Sequence, residues 1–337
     1  MLIGFLGSLA SKQKKKVAYL FGAGATHAEL LALNPDLIPE KEGLLISSVS
    51  SRVIDKARLD TRYVRSLKMV SSTSGSLNIE LLISLIENSK IHDWAFKTGL
   101  LKDLVAEDIK AILTSRRLSR FYLHRALLQL HEQRAIREKE EIAGFVSLNY
   151  DDVLDGAYEQ NYGKPNYCFT LESEKTLANI PLLKLHGSFN WSATRIRGQR
   201  RTIEIIPLGS TKSYLHAPYT FIWTRALEVL IECDTLRVVG CSLSPNDVHL
   251  IDLLFKAHLE RQEAFEIEII ASDNTGNNIR SNYGFFPEIK TLVEIENTLI
   301  PERDPPNPFE TWLKYKSIKM LGEARVKKLV YLRKVAS

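Results

Sequence analysis

The stretch Val17-Ala18-Tyr19-Leu20-Phe21-Gly22-Ala23-Gly24-Ala25-Thr26, followed directly by His27-Ala28-Glu29-Leu30-Leu31-Ala32-Leu33, decides the fold. Its first residues are apolar and read as a buried strand. The glycine pair reads as a tight turn, and the second apolar run as a helix. This is the strand-turn-helix unit that opens a nucleotide-binding sheet. Glycine lets the backbone bend sharply and approach a diphosphate, and the N–H groups of the helix start supply donors to the anion. Thr26 is placed to cap that helix or to bond a phosphate. Taken alone the turn is a weak signal. It lacks the third glycine of the dinucleotide fingerprint and serves equally as a plain strand-to-helix connection.

Three other segments end apolar runs in the same way. Asn149-Tyr150-Asp151 follows the run 144–148, His186-Gly187-Ser188 follows 181–185, and Gly240-Cys241-Ser242-Leu243 follows 236–239. Ligands of open α/β sheets bind beyond the carboxyl ends of the strands. Small or polar motifs at four strand ends are therefore expected to meet in one crevice. Asn149 and Asp151 are two apart, which in extended chain turns both side chains the same way. The amide suits a water or a ribose hydroxyl, and the carboxylate suits a ribose or the amide itself. The local alternative is that Asp151 or Asp152 caps the helix opening at Val153.

Of the eight histidines, His186 alone ends a strand in a glycine-containing turn. An imidazole there, with an ordinary pKa of about 6.5, can act as a general base. His124 and His131 fall on predicted helices as surface or packing residues. Gly240 and Ser242 suit a phosphate or ribose contact. Cys241, after a buried strand, reads as an inert core thiol more readily than as a nucleophile. Asp273 and Asn274 end the run that starts at Phe265, a position suited to an adenosine ribose.

The remaining pattern fills in the architecture. A Ser-rich patch at 71–76 reads as a loop. From 77 to 142, apolar residues recur at helical spacing with no strand signal, as in Leu81, Leu82, Leu85 and Ile86, which predicts an inserted helical subdomain. The charged run 137–141 reads as a solvated helix end. Strand-like runs then return at 202–209, 235–243 and 265–273, separated by crossover helices near 219–233 and 246–262. The fold class is α/β: a Rossmann-like parallel sheet with an inserted α-helical subdomain. The predicted organisation is an N-terminal arm at 1–16, a main domain at 17–300 carrying the insert at about 77–142, and a basic C-terminal tail at 301–337. That tail is expected to pack on the domain or on another subunit.

Composition bounds the function classes. The chain has 337 residues, 45% apolar and 25% charged, an ordinary globular balance. The formal charge of +5 is spread widely, which argues against direct nucleic-acid binding. Three cysteines, Cys168, Cys233 and Cys241, form no Cys-x-x-Cys pair. A thiolate zinc site and a disulfide framework are both disfavoured, no metal is expected, and a reducing cytoplasm fits. The start, Met1 to Lys16, places its apolar run before its lysines, the reverse of a secretory signal, and is too short to cross a bilayer.

In order and spacing, the four motifs resemble the sirtuin superfamily, and specifically its bacterial sirtuin-like branch associated with antiphage defence. The 22–26 turn looks like the family's Gly-Ala-Gly-x-Ser motif, and Asn149-Tyr150-Asp151 is similar to its Asn-x-Asp motif. His186-Gly187 resembles its His-Gly motif and Gly240-Cys241-Ser242 its Gly-x-Ser motif. The resemblance covers roughly residues 17–280 and includes the segment 78–87, similar to one that recurs in the defence branch. It implies a Rossmann-like sheet, NAD as ligand, and Asn149 and His186 as the catalytic pair with Asp151 in support. It further implies that Gly22, Ala23, Gly24, Thr26, Ser188, Gly240 and Ser242 contact NAD. Deacylases of the superfamily carry a four-cysteine zinc module and continue the glycine turn as Gly-Ile-Pro-x-Phe-Arg. This chain has neither, so the resemblance favours an NAD glycohydrolase acting in abortive infection over a protein deacylase, with no zinc. A non-catalytic NAD or ADP-ribose sensor is the rival reading. Defence relatives often act with a translocase ATPase or an Argonaute-like protein, so a homo-oligomer or such a partner subunit is expected to control the activity.

Overall fold

The computed structural model describes residues 13–59, 79–89, 94–115, 122–170, 180–193, 195–196, 199–200, 214–243, 247–261, 266–271, 277–286, 288–291, 307–317 and 319. The apolar run at the head of the chain becomes β1 (Lys15–Phe21), and the run after the glycines becomes α1 (Ala23–Leu33). Helices α2 (Ile46–Arg58), α3 (Ile79–Ser89), α4 (Trp94–Ser115) and α5 (Leu123–Glu132) follow. Strands and helices then alternate as β2 (Glu140–Ser147), α6 (Val153–Tyr162), β3 (Leu182–Lys184), α7 (Tyr219–Glu232), β4 (Thr235–Val239), α8 (Val248–Glu260), β5 (Glu266–Ile270), α9 (Asn277–Asn282) and β6 (Ile289–Thr291). A last helix, α10, covers 308–317.

The six strands form one sheet in the order β3-β2-β1-β4-β5-β6, and every neighbouring pair is parallel. This is the doubly wound order of a Rossmann-like fold, and the winding reverses between β1 and β4. Alternate residues of a strand face opposite sides of the sheet, and β1 buries both. Val17, Tyr19 and Phe21 enter one core with α1, α5, α6 and α10, while Ala18 and Leu20 enter the other with α7 and α8. Burial on both faces is why these strands read as continuous apolar runs.

Helices α2, α3 and α4 share a separate core built around residues such as Val53, Ile83 and Leu101. The helical module therefore differs from the expected span of 77–142. It begins upstream with α2 and ends with α4, because Leu123, Leu127 and Leu130 of α5 pack into the sheet's core. An apolar stripe shows that a helix has a buried face, but not which core receives it. The predicted strand at 202–209, the loop at 71–76 and the arm at 1–12 lie outside the described residues.

The charged run 137–141 is corrected as well. Glu140 opens β2 and is buried. Its carboxylate accepts both ends of the Arg237 guanidinium, at 2.7 and 2.9 Å, and Lys316 of α10 at 3.0 Å. Arg237 is 1% exposed and also donates to Glu268 at 2.6 Å and to the Tyr19 hydroxyl at 3.0 Å. A buried charge is tolerable only when paired and hydrogen-bonded, and these partners come from four strands and α10. His131, on α5, completes the cluster at 2.5 Å from the Tyr19 hydroxyl. On α1, the buried Glu29 carboxylate accepts the backbone N–H groups of Leu123 and His124 at 2.9 Å each, which fixes the start of α5.

This cluster makes stability depend on acid. Burial alone raises the Glu140 carboxyl, but Arg237 and Lys316 outweigh it and hold the group well below the usual carboxylate range. Its contribution is therefore present above the unfolded value, near 4.3, and is lost as pH falls below it. Burial, aided by Arg237, lowers His131 to about 3. The unfolded chain takes up that proton near 6.5 and the folded one only near 3, so stability falls across this interval as pH drops. Denaturant midpoints measured from pH 7 to pH 4 should decline, with His131→Gln flattening the upper part of the slope. Each such group contributes at most about 1.4 kcal/mol per pH unit. A midpoint independent of pH in this interval would contradict the assignment.

Candidate functional site

The reversal of winding between β1 and β4 places their carboxyl ends side by side with outgoing chains that diverge, and a crevice opens there. The Gly22 and Gly24 turn leaves β1, and Gly240 leaves β4. The Gly22 N–H donates to Val239 O at 3.0 Å, and the Gly24 N–H to Gly240 O at 2.9 Å. A Cβ on Gly22 would lie 2.6 Å from Gly240 O, and one on Gly24 2.8 Å from Gly240 Cα. Gly240 has φ +62°, and a Cβ there would meet Ala25 N at 2.2 Å. The glycines are thus required by backbone packed on backbone. The Gly24 amide, expected to face an anion, is engaged by Gly240.

A cavity of about 740 Å³ lies beyond this contact, within the range of small-molecule sites. All four strand-end segments reach its wall, through Gly22, Ala23, Gly24 and Thr26, Asn149 to Asp151, His186 and Gly240 to Leu243. The helical module supplies the facing wall with Val49 of α2, Glu80 of α3 and Val105 of α4. The chain between α9 and α10 closes one side with Asn307, whose amide donates to Ala28 O at 2.9 Å.

Within the cavity the polar groups form an ordered relay. The Asn149 Nδ2 donates to Gly22 O at 2.9 Å and to Thr26 Oγ1 at 3.0 Å. Thr26 Oγ1 in turn donates to Asp151 Oδ2 at 2.9 Å. Both N–H groups of the Asn149 amide are taken, so its acceptor oxygen is the end left to serve a ligand. Thr26 does not cap α1, whose N-cap is Gly22. Its hydroxyl joins the first turn of α1 to the 149–151 segment. Asp151 Oδ1 accepts the Val153 N–H at 3.1 Å, so the capping role and the link to Asn149 coexist on one carboxylate. Burial pushes the Asp151 carboxyl up, opposed by the Lys184 ammonium.

His186 is buried at the cavity wall, with Nε2 3.9 Å from Asp247 Oδ2 at the start of α8 and its ring 6.0 Å from that of Tyr150. Burial, with Glu80 and Asp247 nearby, holds the Tyr150 phenol well above its ordinary value. The structure places Ser188 behind the 149–151 segment and not at the cavity wall. It is buried, accepting from Lys184 Nζ at 2.7 Å and donating to Tyr150 O at 3.1 Å, and so supports the 149–151 segment from behind. Cys241 is buried and its thiol is pushed up by desolvation, which fits the inert reading. Ser242 is exposed at the cavity wall. Asp273 and Asn274 lie outside the described residues. Among the described residues there is no group of three or more potential metal ligands, and no helix is long and apolar enough to cross a membrane.

Three lining residues escaped the sequence reading. Asp247, the N-cap of α8, and Glu80, on α3, belong to helices whose partners are set by tertiary packing. His27 follows Gly24 by one helical turn, and that spacing was the available signal.

No protein-family model and no curated protein matches the chain. Among solved structures, it is similar to one described as "Structural Basis for the Mechanism and Regulation of Sir2 Enzymes", with 13% identity and a TM-score of 0.36, covering 94% of this chain and 95% of that one. It is also similar to a mutant Sir2 homologue in complex with 2'-O-acetyl ADP ribose, with 11% identity and a TM-score of 0.33, covering 82% of this chain and 86% of that one.

Gly240→Ala tests the contact that shapes the cavity. The left-handed backbone and the absence of room for a methyl predict a loss of about 2–4 kcal/mol in denaturant unfolding. An unchanged midpoint would mean that the two turns do not touch.

Proposed function

We propose that the protein is an NAD glycohydrolase that cleaves NAD to nicotinamide and ADP-ribose. The observation that supports this most is the meeting of the Asn149–Thr26–Asp151 relay and the His186–Asp247 pair in one cavity at the switch point of the sheet. That position suits a dinucleotide, and the groups suit cleavage of its glycosidic bond.

In this reading NAD is the substrate. Asn149, its amide fixed in one orientation, accepts from a ribose hydroxyl or from the attacking water through Oδ1. The bond between ribose and nicotinamide breaks heterolytically, the electron pair leaving with neutral nicotinamide while the ribose develops oxocarbenium character. Water adds to that carbon. His186 takes the proton, from the water or through a ribose hydroxyl, and the Asp247 carboxylate favours the resulting imidazolium. Asp151 acts through Thr26 as a positioning group. Contacts to the rest of the dinucleotide place the ribose, so binding energy remote from the bond contributes to the rate.

An enzyme that removes NAD must be restrained in a healthy cell. The same reading makes the protein the effector of an antiphage, abortive-infection system, restrained by its own assembly or by a partner subunit. Its mass in solution, alone and with a candidate ATPase or Argonaute-like partner, tests this part. A fully active lone monomer would refute it.

The chemistry is tested by following nicotinamide release from NAD chromatographically. Asn149→Ala and His186→Ala should each lower the rate at least about 100-fold, the scale of a lost general base, with thermal midpoints near that of the wild type. Thr26→Val should lower it less and Thr26→Ser should restore it. Full activity in both alanine variants would sink the assignment. NAD binding without nicotinamide release in every assembly state would make the protein a sensor instead.

A further inference from the structure

We infer that His27 is a substrate-binding residue: a neutral imidazole that donates its Nε2 hydrogen to the diphosphate of the dinucleotide at the start of α1. The inference rests on the dinucleotide reading above and adds to it a residue and the contact it makes. His27 is 8% exposed and lines the cavity. Its Nδ1 accepts the Leu44 N–H at 3.3 Å. A nitrogen that accepts a hydrogen bond carries no hydrogen, so the hydrogen of the neutral ring sits on Nε2. Nε2 makes no hydrogen bond among the described residues, and it is not shut off within the protein.

The placement indicates what that hydrogen meets. On a helix, side chains three and four residues apart share a face and lean toward the N-terminus. His27 thus overhangs Ala23 and Gly24, which line the same cavity. A helix start favours an anion through its free N–H groups and its dipole. One of those groups, the Gly24 N–H, is already engaged by Gly240. His27 supplies a replacement donor on the same side. Protonating Nδ1 would set two N–H groups against each other at Leu44, so the ring stays neutral and donates through Nε2 only. Burial lowers its basicity in the same direction.

Two substitutions separate this role from one of merely holding the loop at Leu44. His27→Asn keeps an acceptor near the Nδ1 position and lacks the distal donor. His27→Gln places an N–H near the Nε2 position and lacks the acceptor. With ADP-ribose as the titrant, the Asn variant should bind at least about tenfold more weakly than the wild type and the Gln variant within about threefold, the scale of a hydrogen bond to a charged acceptor. In NAD turnover the Asn variant should raise KM with little change in kcat. Weak binding by Gln with wild-type binding by Asn would assign His27 to the loop and overturn the inference, as would wild-type affinity in both. A wild-type protein that does not bind ADP-ribose would overturn both this inference and the dinucleotide reading. Affinity for ADP-ribose that depends on His27, with no cleavage of NAD, would uphold the inference and refute only the hydrolase reading. If neither variant folds, nitrogen NMR of the labelled wild-type imidazole decides. Nε2 must carry the hydrogen at neutral pH and shift on addition of ADP-ribose, and a hydrogen on Nδ1 or an unmoved Nε2 would contradict the assignment.

Discussion

Two backbones touch at the point where the sheet reverses its winding, and the site depends on that contact. Gly22 and Gly24 lie against Gly240 so closely that a methyl group on any of them would fall within 2.8 Å of another main-chain atom. The approach lets the first turn of α1 cross the end of β4, bringing the outgoing segments of both strands to one wall. Side chains there would hold the turns apart, and the cavity would lose its floor. The glycines shape the cavity by letting the protein's own chain pass.

The polar chemistry is built on that floor by groups that hold one another. Thr26 sits between Asn149 and Asp151, receiving from one and giving to the other. Lys184 and Ser188 fix the 149–151 segment from beneath, with Lys184 also paired to Asp155 at 2.8 Å. Such a buried, connected network costs little as long as every member is satisfied and resists distortion for the same reason. A second set of buried charge pairs lies within the sheet. The Arg237–Glu140–Glu268 cluster ties β2, β4 and β5 together within the sheet, none of its members lines the cavity, and it anchors α10 through Lys316. The charged groups of the scaffold and the polar groups of the site are separate clusters, since none of the former lines the cavity.

Much of this was legible in the sequence because strand-end chemistry is local. An apolar run, a glycine or small polar residue, and a helix start occupy consecutive positions, and the carboxyl-end rule places all such segments together. Gly22, Asn149, His186 and Gly240 stand out in this way, and the structure brings all four to one cavity wall. The misreadings share a physical origin. Glu140 looked solvated because its partner, Arg237, lies 97 residues away. Nothing local reveals that Lys184 lies beneath Ser188. The helical module was placed too late because α2 and α5 have similar apolar stripes that join different cores. The places of His27 and Asp247 at the cavity wall are set by tertiary packing.

Hydrogen–deuterium exchange with and without NAD tests the central claim most directly, that the four strand-end segments form one dinucleotide site. Protection should appear together in peptides covering 22–27, 149–151, 186–188 and 240–243. A further cavity, lined by residues that include Asp152, Glu159 and Asn190, should keep its exchange rate. Protection confined to that further cavity, or absent from the four segments at saturating NAD, would contradict the account.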